Sequence, residues 1–220
     1  MGKKIVGGYI SARETIAAAA RNNQSVTDYV EEMWKIPGAS ARVVEKFREI
    51  GALGPGTQRV CEIGTGTGMF AEAVLKALGN CHYESYELDK EWAEWLSRTF
   101  KIVSQPTMGD NLSHTAPDSV DLIHANGVFV YTPLLITVRY FLELIRVTRR
   151  GGFAAFDILS ERCLSGEALK YWLNSGETYP CILPEAYVKQ FFLANGFSLA
   201  GEFFTGGFAV EWHYLVFRKR

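Results

Sequence analysis

Two hundred and twenty residues hold one domain, or one domain with a short appendage, since domains span roughly 100–200 residues. The chain is 48% apolar and 21% charged, which excludes a disordered or low-complexity polymer. Its 23 basic and 24 acidic residues leave a formal charge of −1, without the basic excess of a general nucleic-acid binder, so no nucleic-acid partner is expected.

The first 58 residues read as helical and carry no strand signal. Residues 10–21 include the alanine run Ala17 to Ala20, a strong helix former. Ser25 suits the N-cap of a second helix over 26–34, with Asp28 three residues on, and Pro37-Gly38 ends it. A third helix over 41–50 is closed by Gly51, Gly54, Pro55 and Gly56. This stretch, 1–58, is expected to form a helical cap or lid on a second unit, 59–220.

From Arg59 the pattern changes to strands alternating with helices. Strands are expected over 59–63, 82–88, 102–107, 120–125 and 153–159, and helices over 70–78, 90–99, 133–148 and 184–195. Two more strands, 197–205 and 211–218, follow with no helix between them and read as an antiparallel hairpin through Gly206-Gly207. Such alternation implies an α/β fold: a mostly parallel, Rossmann-like sheet with helices on both faces.

The cysteines, Cys61, Cys81, Cys163 and Cys181, have neither zinc-ligand nor redox-motif spacing. With no signal peptide visible they read as reduced thiols of a cytoplasmic protein, and no metal is expected. No apolar run approaches the ~20 residues of a membrane span. The start, Met1-Gly2-Lys3-Lys4-Ile5-Val6, has Val6 where a myristoylation signal wants Ser or Thr, so no lipid anchor is expected.

The segment richest in chemistry is Glu62-Ile63-Gly64-Thr65-Gly66-Thr67-Gly68, at the end of the first strand and the start of a helix. Gly64 permits a tight turn, Gly66 lets a ligand approach the backbone, and Gly68 lets the helix pack near the strand. Glu87 ends the second strand, where a carboxylate can accept both hydroxyls of a ribose. Dinucleotide binding places its third glycine where Met69 stands. Glu62 would repel a pyrophosphate, but could orient a cationic ammonium or the loop's own amides.

With these residues the chain resembles the class I S-adenosylmethionine-dependent methyltransferases from about Arg59 onward. Glu62 to Gly68 is similar to their first motif, Tyr86-Glu87-Leu88-Asp89 to their ribose motif, and Gly109-Asp110-Asn111-Leu112 to their adenine motif. Asp118 to Ile123 resembles the lead into their fourth strand. Arg149-Arg150-Gly151-Gly152-Phe153 resembles the turn before their fifth, with Arg150 in place of the usual proline. The resemblance implies a seven-stranded sheet with the seventh strand antiparallel, and S-adenosyl-L-methionine as cofactor. The binding set it implies is Glu62, Gly64, Thr65, Gly66, Gly68, Glu87, Leu88, Asp110 and Asn111; Asn126, from its place at the end of the fourth strand, is a candidate to hold the methionine end of the cofactor or the substrate, or to cap the loop.

The acceptor would lie outside the carboxyl ends of the strands. His124 and Asn126 end the fourth strand and, two apart, face one way. The His124 imidazole suits a catalytic base near neutral pH; the alternative is a histidine bonded to its surroundings without chemistry. Tyr131 and Tyr179, with Tyr171 and Trp172, are candidates for an apolar acceptor pocket or for ordinary core. Asp157 and Glu161 are candidate polar wall groups. The expected activity is transfer of a methyl group to an oxygen, less readily a nitrogen, of a small or medium-sized acceptor by a monomer or homodimer. The alternatives are a non-catalytic S-adenosylmethionine-binding partner subunit and a nicotinamide-dependent oxidoreductase.

Overall fold

Short apolar strands and amphipathic helices take turns along the chain, and each helix carries the chain back so that the next strand lies parallel to the last. The structure, a computed structural model, describes residues 10–175, 181–207 and 210–220. Tyr179 and the N-terminal segment read for lipidation lie outside the described residues.

The strands are β1 (Arg59–Ile63), β2 (His82–Tyr86), β3 (Val103–Ser104), β4 (Val120–Ala125), β5 (Thr148–Ile158), β6 (Phe197–Gly207) and β7 (Val210–Lys219). They form one seven-stranded sheet in the order β3-β2-β1-β4-β5-β7-β6. β1 to β5 are mutually parallel, whereas β7 runs antiparallel to both β5 and β6. The expected hairpin is present, with β7 inside the sheet and β6 at its edge.

The helices are α1 (Ala12–Arg21), α2 (Val26–Met33), α3 (Ala39–Ile50), α4 (Met69–Leu78), α5 (Lys90–Phe100), α6 (Leu134–Val147), α7 (Gly166–Ser175) and α8 (Glu185–Ala194). Ser25 caps α2 as expected, its Oγ accepting from the Asp28 N–H at 3.0 Å. α7, and a short 3-10 turn over Glu161–Cys163, are elements that the sequence pattern does not announce. β5 also starts earlier than the expected 153. Thr148 already pairs with Val120, and a register shift then carries the Gly151-Gly152 step.

Two apolar layers fill the faces of the sheet. One joins Ile63, Ile123, Ala125, Phe156, Ile158 and Phe217 to α6 and α8 through Phe141 and Phe192. The other joins Val60, Leu122, Tyr83 and Tyr214 to α3 and α4 through Phe47 and Val74. Phe47 is fully buried, so α3 belongs to the core of the sheet. α1 and α2 lie further out. The Trp92 indole of α5 donates to the Ile10 carbonyl at 3.0 Å, and Thr27 bonds Glu72 of α4.

Candidate functional site

The carboxyl ends of β1, β2 and β4 meet where the three glycines turn the chain from β1 into α4. Gly64, Gly66 and Gly68 have φ of 67°, 50° and 77°, the left-handed region that side chains avoid. Their spatial needs differ. A Cβ at Gly64 would lie 2.6 Å from Val128 Cγ2, and one at Gly68 would lie 2.7 Å from Leu96 Cδ2. At Gly66 the nearest atom would be the Gly64 carbonyl oxygen at 3.9 Å. Gly68 thus makes room for α5, not for the strand expected from the motif, whereas Gly66 borders open space. The buried Thr65 fixes the turn from below, its Oγ1 lying 2.8 Å from Ser85 Oγ.

Glu87 sits just past β2 and reaches across to this turn. Its Oε2 accepts from the Gly66 N–H at 2.7 Å and its Oε1 from the Asp89 N–H at 2.8 Å. Burial raises its carboxyl, and the backbone amides of Asp89, Gly66 and Leu88 oppose that shift. A carboxylate offers about four lone-pair sites, so it can still accept a further donor. The exposed Leu88 next to it lies against Gly109, whose added Cβ would come within 3.1 Å of Leu88 Cδ1. Asp110 Oδ1 accepts from Asn111 Nδ2 at 2.7 Å, and its Oδ2 accepts from Arg139 at 2.9 Å. Tyr140 lies nearby. Burial pushes its phenol up to about 12, and the charges of Asp110 and Glu87 add to the shift.

Behind the glycine turn lies a sealed polar network. Glu62 and His124 are directly paired residues of β1 and β4, and both side chains are buried. Tyr83 donates its hydroxyl to Glu62 Oε2 at 2.8 Å, and His124 Nε2 lies 2.9 Å from the same hydroxyl oxygen. With that phenolic proton committed to Glu62, the imidazole must donate from Nε2. His124 Nδ1 then accepts from Asn126 Nδ2 at 2.9 Å. Burial lowers His124 to about 3 and raises Glu62 to about 7, so the ring is neutral near pH 7.

The expectation of a catalytic base at His124 fails on placement. Its side chain has no exposure, both nitrogens are occupied, and Phe47 of α3 lies on the same side at a ring-centre distance of 6.2 Å. Asn126 Oδ1 is different: it is buried and has no hydrogen-bond partner.

Asp157, at the end of β5, accepts the Gly127 N–H at 2.8 and 3.0 Å from its two oxygens. It pins the turn that places Val128 against Gly64, and burial raises its carboxyl to about 7. Glu161 instead accepts the Glu185 N–H at the start of α8, at 2.9 Å. Tyr131 is half-buried against a small cluster of Val130, Leu159, Cys163 and Ala168, as is Trp172 of α7.

Tyr83 and Arg139 are site neighbours that sequence reasoning missed, because their partners lie on other elements. Glu185, Glu202 and His213 bring three potential ligand atoms within 4.8 Å. Lys189 bonds both carboxylates and Arg162 lies 3.3–3.4 Å from them, so cations of the chain itself balance that charge.

The sheet order is that of the fold seen in solved S-adenosylmethionine-dependent methyltransferases. No family model matches the sequence, and no curated relative is found for it. Among solved structures, magnesium protoporphyrin IX methyltransferase from Synechocystis PCC 6803, with bound S-adenosylhomocysteine, aligns at a TM-score of 0.64. The identity is 14%, over 97% of this chain and 90% of that one. Geranyl diphosphate methyltransferase, in complex with GPP and sinefungin, aligns at 0.62 with 14% identity over 89% and 82% of the two chains. An S-adenosylmethionine-dependent methyltransferase from Mesorhizobium loti aligns at 0.59 with 14% identity over 80% and 96%. At these identities the likeness concerns the fold. Among the described residues no helix is long and apolar enough to cross a membrane.

Proposed function

We propose that this chain is an S-adenosylmethionine-dependent methyltransferase acting on an oxygen or nitrogen of a small or medium-sized acceptor. One relationship carries the reading: the open backbone at Gly66 lies directly beside the Glu87 carboxylate. A nucleoside entering there finds a ribose acceptor in Glu87 and a close backbone approach at Gly66. The unpartnered Asn126 Oδ1 suits a donor such as the cofactor's ammonium. Leu88 supplies an apolar surface for the base, and Asp110 with Asn111 supplies polar edges. Gly64, Thr65 and Gly68 hold the turn, and Glu62 acts from behind it through Asn126, whose Nδ2 lies 3.5 Å from Glu62 Oε1.

When bound, the cofactor supplies an electrophilic methyl group on a sulfonium. The residues of this chain bind, align and exclude water, and orientation alone is worth ~7–11 kcal/mol of barrier. His124 is reassigned to positioning, because its Nδ1 fixes the amide of Asn126. With that imidazole buried, an oxygen and a nitrogen acceptor are equally favoured. Tyr131 remains a proposed wall of the acceptor space, and α1 and α2 a proposed cover over α5 and α4.

Thermal denaturation with added ligands tests the reading. A ligand that binds only the folded state raises Tm, by about 2.7 kcal/mol of stability at one hundred times its Kd. S-adenosylmethionine and S-adenosylhomocysteine should raise it, and NAD and NADP should not. A rise with the dinucleotides alone would favour the oxidoreductase instead.

A further inference from the structure

We infer that Arg139, Glu143 and Arg146 form a strap from α6 that fixes the segment 110–115 and thereby sets the base specificity of the nucleoside site. The inference rests on the cofactor reading above and deepens it. The three residues are spaced four and three apart, so they share one stripe of the helix. Each reaches the same segment. Arg139 donates to Asp110 Oδ2 at 2.9 Å. Glu143 Oε2 accepts the Leu112 N–H at 2.7 Å. Arg146 donates to the Leu112 carbonyl at 2.8 Å and to the Thr115 carbonyl at 2.9 Å.

Arg146 also forks onto Glu143, at 2.8 Å from Nε and 2.7 Å from Nη2. This bidentate geometry fixes both side chains as one unit. Both backbone polar groups of Leu112 are therefore held by a helix, in a stretch that belongs to no strand. The far end is tied to β2. Thr115 Oγ1 donates to Glu84 at 2.7 Å and lies 2.8 Å from the Tyr86 hydroxyl.

Asn111 sits between the Arg139 contact at Asp110 and the anchor at Leu112. A fixed carboxylate at Asp110 accepts from the exocyclic amine of adenine. It opposes the carbonyl of hypoxanthine at the same position, leaving polar groups unpaired. A carboxylate free to swing discriminates less, because it relaxes away from the mismatch. Arg139, Glu143 and Arg146 are thus positioning residues that act through Asp110 and Leu112.

Titration calorimetry with S-adenosylhomocysteine and S-inosylhomocysteine tests this. Arg146→Ala should weaken binding of the adenine ligand by ~10-fold or more, the loss of one or two charge-assisted hydrogen bonds. It should also reduce the adenine-to-hypoxanthine preference several-fold, which a change in global stability alone would not do. Arg146→Lys keeps the charge but lacks the fork, so it should recover Tm more fully than the preference. If Arg146→Ala does not fold, Glu143→Gln decides, and its preference should fall in the same direction. A folded variant with weakened stability and the wild-type preference overturns the strap. Wild-type protein that binds neither nucleoside overturns the cofactor reading, and this inference with it.

Discussion

The backbone N–H of Gly66 donates to the carboxylate of Glu87 across 2.7 Å, joining two residues 21 positions apart in the chain. The turn after β1 and the end of β2 are therefore one unit. The carboxylate organises the loop from the end of β2.

Removing that carboxylate should weaken cofactor binding more than it weakens the fold. Glu87→Ala is expected to cost roughly 1.5–3 kcal/mol of S-adenosylhomocysteine affinity, the usual worth of hydrogen bonds to a charged group. Calorimetry on the purified variant checks this, and unchanged affinity would remove Glu87 from the site.

Gly66 and Gly68 should respond differently to the same substitution. Gly66→Ala meets open space and should fold, with cofactor affinity falling because the methyl group enters the ligand's side of the turn. Gly68→Ala drives a Cβ into Leu96 and Phe100 and should lower Tm by several degrees. Both carry the added strain of a side chain at positive φ. Equal Tm losses in the two variants would contradict the division of roles.

His124→Ala should act through stability. It leaves the Asn126 amide without its acceptor and the Tyr83 oxygen without its donor, inside a sealed layer. Each buried group left unpaired costs about 1–3 kcal/mol. Urea denaturation near pH 7.5 should show the loss as a lower midpoint. A midpoint equal to wild type would return the ring to an accessible role.

The buried carboxyls make stability fall as pH rises toward neutrality. Asp157 is raised from 3.8 to about 7, and Glu62 from 4.5 to about 7, in both cases by burial first. The folded state then holds protons that the unfolded chain has released. This stability is complete below the ordinary carboxylate values and is lost as pH rises through about 7. His124, lowered to about 3, has the opposite sign and subtracts stability only as pH falls below 6.5. From about pH 4.5 to about 7 the two carboxyls outweigh His124, so stability should fall as pH rises and level off above that range. Asp157→Asn should flatten that slope, and denaturation midpoints taken across the range check it.

Much of this was legible in the chain. The alternation after Arg59 gave the parallel strands, because buried strands and their crossover helices have different apolar periods. The glycine spacing and Glu87 marked the turn after β1, because those positions answer to local backbone geometry, and Gly66 does hydrogen bond Glu87. Strand parity also put His124 and Asn126 on one side, and they do hydrogen bond. Parity cannot say what covers that side. The cover is Phe47 of α3, 77 residues earlier in the chain, and it turns an apparent base into a buried strut. The start of β5 was hidden for a related reason: Thr148 to Gly152 looks like a turn until Val120 supplies a partner. α7 was missed because Ser165-Gly166 reads as loop, although Ala168 and Trp172 pack on the segment after β4.

The position of β7 also constrains how the chain can be made. It follows β6 in the sequence but lies between β5 and β6, pairing with both. On a ribosome, β5 emerges with its outer edge bare. That edge carries Phe153, Ala154, Ala155 and Phe156, an apolar strand offering unpaired backbone groups. β6 emerges next and has no strand partner until residues 210–219 arrive. The newborn sheet must wait for its innermost late strand, and a chaperone has reason to shield β5 in the interval. A chain interrupted before residue 210 would keep that edge open and should aggregate even though every residue of the glycine turn is already in place.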